Sequence, residues 1–148
     1  AFTIHADGTN LRRQQYLGGH PEWDDGHVML GELDGRLVRY HVDRQVIVGS
    51  EGPAGTFVDP GGDTALSPDR KWVANGHKDS PAGLSYFTLL SRHEKRTLRS
   101  SGIPIGEWTT GDLRIDPAPS WNRSSNQILF GALDGESQTR QLFVLTLQ

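Results

Sequence analysis

GGHPEWDDGHVML (residues 18–30), DTALSPDRKWVA (63–74) and APSWNRSSNQILF (118–130) share one grammar, and reading it decides the fold. Each closes a short segment on a large apolar residue, Trp23, Leu66 or Trp121, then passes a polar turn into an apolar run. The turns are Asp25-Gly26, Ser67-Pro68-Asp69-Arg70 and Asn122-Arg123-Ser124-Ser125. The three markers stand 43 and 55 residues apart. A four-stranded blade repeats at roughly 40–45 residues, so the first spacing is one period. The second is that period plus about a dozen residues, and the polar stretch RSSGIPIGEWTTG (99–111) supplies the excess as an insertion.

Further strands follow in each copy. After the first turn come Val28 to Leu33, Trp72 to Asn75 and Ile128 to Leu133. Asp34-Gly35 and Asp134-Gly135 then mark second turns, followed by LVRYHV (37–42), SYFTLLS (85–91) and QLFVLTL (141–147). The first two copies add weaker outer strands near QVIVG (45–49) and KRTLR (95–99). Asp-Gly between short β-rich runs is the strongest local hairpin signal. The pattern predicts an all-β chain, a β-propeller segment of about three four-stranded antiparallel blades. The blade stretches are 18–50, 57–100, and 1–17 plus 111–148, forming one partial propeller domain over 1–148. AFTIHADGTNLRRQQYL (1–17) reads as the last two strands of a blade, joined at Asp7-Gly8. Propellers usually hold about 4–8 blades, so three do not comfortably close a ring. Either the chain is part of a longer propeller, or a homodimer completes a six-bladed ring. A flat stacked-sheet domain is the plainer alternative.

Composition narrows the function classes. Net charge is −3, so no basic face favours nucleic acid or anionic lipid. The chain has no cysteine, which removes disulfides, thiolate zinc sites and a Cys nucleophile. No apolar run reaches the length of a membrane span. There is no G-x-S-x-G elbow, P-loop or dinucleotide fingerprint, and GSEGPAG (49–55) falls in a connection between blades. The chain opens on Ala1, which is the expectation for a processed leader or a piece of something longer.

LSPDRKW (66–72), GGHPEW (18–23) and DPAPSW (116–121) resemble the PD40, or TolB-like, propeller repeat, whose core is His-Pro-x-Trp-Ser-Pro-Asp-Gly. RIDPAPSWNRSSNQILF (114–130) followed by RQLFVLTL (140–147) is similar to the last blade of the oligogalacturonate-lyase-like branch. Only His20 keeps the repeat's His-Pro; Asp63 and Ala118 stand at the equivalent positions, and Arg70 stands where the repeat has glycine. The resemblance implies a ligand-binding or scaffold module in carbohydrate or cell-envelope processing, periplasmic or extracellular. Its alternatives are part of a metal-dependent lyase of acidic oligosaccharides and a protein-interaction propeller.

In a propeller the first strand of each blade lines the central channel, so His20, Asp63 and Ala118 are expected around one mouth. Trp23, Leu66 and Trp121 are expected to pack between blades. Second strands return to that mouth, bringing GHKD (76–79) and LRID (113–116) there. The candidate ligand-binding set is therefore His20, Asp63, His77, Asp79, Arg114 and Asp116. Imidazole and carboxylate suit a divalent cation such as manganese, with His20 and His77 as candidate ligands, and arginine suits a sugar carboxylate. In the lyases of the resembling branch such a cation polarises the uronate carboxylate while a base removes the α proton. Chance clustering of loop residues is the plainer reading, as is a structural role for His20. Trp108, in GEWTTGD (106–112), is either tucked under its loop or a stacking platform for a carbohydrate or protein ligand. His5, His27, His41 and His93 read as surface or half-buried residues, and Arg92 to Arg96 as a solvated turn and outer strand.

Overall fold

The computed structural model describes residues 1–15 and 17–147. It contains strands and turns and, among the described residues, no helix. An N-terminal hairpin pairs β1 (Phe2–Thr3) with β2 (Arg12–Arg13). The first full meander is β3 (Gly18–Trp23), β4 (Val28–Leu33), β5 (Arg36–His41) and β6 (Val46–Ser50). The second is β7 (Asp63–Leu66), β8 (Trp72–Asp79), β9 (Leu84–Ser91) and β10 (Thr97–Arg99), with β11 (Ile103–Pro104) also paired to β9. The third is β12 (Ser120–Trp121), β13 (Gln127–Leu133) and β14 (Arg140–Thr146). Neighbours within each meander are antiparallel, in sequence order. The first strands of the first two meanders meet in parallel, His20 opposite Asp63. This is a propeller arrangement: successive antiparallel blades whose first strands lie side by side.

The turns follow from their residues. Asp34 (φ 50°) and Gly35 (φ 72°) both adopt left-handed backbone, the two-residue geometry that matches the twist of β4 and β5. The Asp25 carboxylate accepts the N–H groups of His27 and Val28 at 2.9 Å and so closes the turn into β4. In the second blade the Ser67 hydroxyl donates to Asp69 at 2.7 Å and accepts the Trp72 N–H. Arg70 (φ 60°) and Ser125 (φ 58°) hold the left-handed position that the resembling repeat gives to glycine.

Packing between blades forms the core. Leu30, Leu37 and Phe57 meet Val73, Leu90 and Leu66 between the first and second blades. Ala74 and Leu89 meet Ile128, Trp121 and Leu145 between the second and third. Phe87 packs edge-on against Phe130, ring centres 5.1 Å apart. Each such side chain contributes about 1.5–3 kcal/mol on burial.

Four expectations change. Asp134-Gly135 opens a longer loop rather than a two-residue turn, because β13 and β14 first pair at Leu133 and Arg140. The stretch 99–111 is only partly an insertion. Ile103 and Pro104 resume the outer-strand pairing along β9, and Ile105 is fully buried, since its side chain fills a gap beside Ile115 and Leu133. Trp23 is 48% exposed rather than packed between blades, because it borders an open cavity beside Ile4 and His27. Arg92 is not solvated: it sits between the first two blades, bonded to Asp24 and Glu51.

Candidate functional site

The parallel contact of β3 with β7 places His20 beside Asp63, with Nδ1 3.4 Å from Oδ1. β7 pairs with β8 so that Asp63 faces Gly76, and β8 carries Lys78 two residues on. Side chains alternate along a strand, so Ala74, Gly76 and Lys78 face the third blade. Val73 and His77 face the first. Lys78 Nζ accordingly reaches Asp116 Oδ1 at 2.8 Å and the Thr109 carbonyl at 3.2 Å. Arg114 Nε also donates to Asp116, 2.8 Å from Oδ2. Burial pushes the Asp116 carboxyl up, but the hydrogen bond and charge of Lys78, followed by Arg114, outweigh it and hold the group below its ordinary value.

His20, Asp63, Lys78, Arg114 and Asp116 line a cavity of about 450 Å³, whose wall also includes Asp59, the Gly61-Gly62 backbone, Ser80 and Pro117. The backbones approach closely. A Cβ on Gly19, which has φ 68°, would lie 2.6 Å from Gly61 Cα. One on Gly76 would overlap the Pro117 carbonyl oxygen. All three blades thus contribute to one polar cleft.

The structure brings His20, Asp63, His77, Arg114 and Asp116 to this cavity. His77 only borders it. Its ring stacks on Tyr86 with centres 5.3 Å apart, on the face opposite Lys78, and its buried Nδ1 has no partner. Burial, its largest influence, pushes the His77 pKa down. Asp79 lies outside the lining and accepts the Ala82 N–H in the next turn at 3.2 Å. Trp108 also lies elsewhere, against Ile105, Ile115 and Leu133, with the Arg140 guanidinium 5.0 Å over its ring. Among the described residues no three His, Asp or Glu side chains converge to hold a metal ion, so the donor set does not fit a manganese centre. Lys78 and Asp59 escaped sequence reasoning. Strand alternation from Gly76 points to Lys78, whereas nothing in the local sequence marks Asp59.

A second cavity of about 480 Å³ opens at the far end of β3, beside Trp23, Ile4 and His27. There His27 Nδ1 lies 2.6 Å from Asp43 Oδ2, which helps hold the Asp43 carboxyl below its ordinary value.

No family model and no curated protein matches this chain. Among solved structures, it is similar to the β-propeller domain of the Trilobed protease from Pyrococcus furiosus, described as having an open velcro topology. The TM-score is 0.47 at 14% identity, over 90% of this chain and 43% of that one, so the chain spans less than half of the matched structure. Among the described residues no helix is long and apolar enough to cross a membrane. The strand pairing itself makes the chain an all-β propeller segment.

Proposed function

We propose that the chain is a ligand-binding module of the TolB-like kind, taking a hydroxyl-rich ligand such as a neutral oligosaccharide in the cleft at His20, Asp63, Lys78, Arg114 and Asp116. The observation that carries this reading is the mixture of charges in one cavity. Three carboxylates, Asp59, Asp63 and Asp116, face two cations, Lys78 and Arg114. Both cations already bond Asp116, so the cleft offers little surplus positive charge to a uronate. A sugar hydroxyl both donates and accepts, and suits a wall that alternates carboxylates with N–H donors. The TolB-like resemblance supports a role in carbohydrate or cell-envelope processing, outside the cytoplasm.

Amide NMR titration with neutral oligosaccharides and with oligogalacturonates tests this. Neutral sugars are expected to shift the resonances of Gly61, Gly62 and Gly76, and Asp63→Ala is expected to weaken that binding about tenfold, the loss of one charged hydrogen bond of about 1.5 kcal/mol. Shifts confined to the Trp23 end, or tighter binding of the galacturonates, would overturn the reading.

A further inference from the structure

Residues 51–62 link the outer strand of the first blade to the inner strand of the second. The linker is anchored on the second blade at two points. Phe57 is buried against Val73 and Leu90. Arg99 Nη2 donates to the carbonyls of Gly55 and Thr56, at 3.4 and 3.3 Å. Beside these anchors lies a cavity of about 300 Å³, whose walls include Val58, His77, Tyr86, Thr88, Arg99 and Ser100. It is enclosed by the middle of the chain, between the first and second blades.

Strand register puts the polar groups of this cavity on one face. Thr88 of β9 stands opposite Asn75 of β8 and Arg99 of β10, and His77 stands opposite Tyr86. By alternation these side chains share the face of Val73 and Leu90, toward the first blade. Thr88 is 0% exposed, yet its hydroxyl has no hydrogen-bond partner. Asn75 Oδ1 and His77 Nδ1, on the same face, are also buried without one. A buried polar group left unpaired costs roughly 1–3 kcal/mol, and most such groups are paired. Three in a row along one face point to a partner from outside the chain.

Charge narrows what that partner is. Among the described residues Arg99 makes no ion pair and no acid lines this cavity. Asp59, which acts electrostatically on His77, lines the His20 cavity instead. A guanidinium carries five N–H donors, so the two carbonyl bonds leave Arg99 free to hold an anion. Ser100 Oγ accepts the Phe87 N–H at 2.9 Å, which leaves its own proton to donate. The rest of the wall is flat and apolar: Val58, 59% exposed, and the Tyr86 ring stacked on His77. The volume is at the low end of the roughly 300–1,000 Å³ of ligand pockets, which restricts the occupant to a small molecule.

We propose that this pocket binds a small monocarboxylate with a flat apolar body. Its carboxylate rests on Arg99 and accepts from the Thr88 and Ser100 hydroxyls, and its body lies against Val58 and Tyr86. His77 is the wall shared with the His20 cleft, but the two sites take different chemistry, so this inference stands apart from the sugar reading.

Amide NMR titration of the 148-residue chain with benzoate, and with benzamide as the uncharged counterpart, tests the proposal. Benzoate, taken to about 20 mM to cover a millimolar dissociation constant, is expected to shift the resonances of Val58, Thr88 and Ser100 saturably. Benzamide binding, and benzoate binding to Arg99→Met, are expected to be about tenfold weaker, the loss of a charge-assisted pair. Thr88→Val keeps the side chain's shape and removes the hydroxyl, and is expected to weaken benzoate about threefold. Asp63→Ala is expected to leave benzoate binding unchanged, whatever it does to sugars in the other cleft. Absence of saturable shifts would overturn the proposal, as would benzamide binding as tightly as benzoate or an Arg99→Met chain that binds like the wild type. Unchanged binding to Thr88→Val would also overturn it, because it would show that ordered water alone meets that hydroxyl.

Discussion

Arg92→Met is expected to lower folding stability by about 3–5 kcal/mol, the cost of leaving buried carboxylates without their partner. Arg92 holds Asp24 with two parallel hydrogen bonds of 2.9 Å and Glu51 with one of 2.7 Å. Asp24 and Glu51 are each only 4% exposed. Arg39 Nε adds a bond of 2.9 Å to Asp24, but a second cation at the edge cannot replace the bidentate geometry. The acids belong to the first blade and its exit, and Arg92 to the second, so the loss loosens that boundary specifically. Urea unfolding measures the effect, and a change below about 0.5 kcal/mol, typical of surface sites, would contradict it. Acid dependence gives a second readout. Burial pushes the Asp24 carboxyl up, but the hydrogen bonds and charges of Arg92, then of Arg39, overcome it and hold the folded pKa below the ordinary 3.8. A lowered folded pKa contributes stability that is complete above the unfolded value and disappears as pH falls through the folded one. The wild type is therefore expected to lose this share below about pH 4, and Arg92→Met to lose little there.

Gly76→Ala is expected to cost about 3 kcal/mol, at the upper end of overpacking penalties. The new methyl group would overlap the Pro117 carbonyl oxygen, which is backbone and cannot swing aside as a side chain would. Relief requires moving β8 away from the segment leading into β12. The same movement pulls Lys78 off Asp116, so the His20 cleft should be lost together with the stability. Gly26→Ala is the control: a Cβ there meets nothing within 4 Å. At roughly 2–4 °C per kcal/mol for a chain of this size, melting should fall by about 6–12 °C for Gly76→Ala and hardly at all for Gly26→Ala. Equal melting temperatures would contradict the close contact between the second and third blades.

What was legible in the sequence followed from short-range chemistry. Asp-Gly and Ser-Pro-Asp turns dictate hairpins locally, which is why Val28–Leu33 is read to the residue and the strands ending at Trp23, Leu66 and Trp121 share one register. Asp134-Gly135 misled because Asp134 accepts from the Ser137 N–H and hydroxyl, which favours a wider loop over the two-residue turn. Contacts across blades left no local trace. Arg92 sits in a basic run whose other members are exposed, and its partners Asp24 and Glu51 are 68 and 41 residues away. His77 and Lys78 are neighbours in sequence, yet pleating sends one toward Tyr86 and the other toward Asp116. The sequence reading took His77 and Asp79 from that stretch and passed over Lys78, which the alternation turns toward Asp116. The exposure of Trp23 likewise depends on what stands beside its blade, which the repeat pattern does not reveal.

A disulfide formed between two introduced cysteines tests the side-by-side first strands most directly. The chain contains no native cysteine, so His20→Cys with Asp63→Cys reports on one pair alone. Facing residues on paired strands lie within the Cα separation of about 4.4–6.8 Å that a disulfide requires. Mild oxidation is expected to give a rapid intramolecular cross-link within the monomer band, whereas His20→Cys with Ser137→Cys, across to the outer turn of the third blade, should give none. A folded His20→Cys, Asp63→Cys chain that stays reduced, or that cross-links no faster than the control pair, would contradict the propeller arrangement.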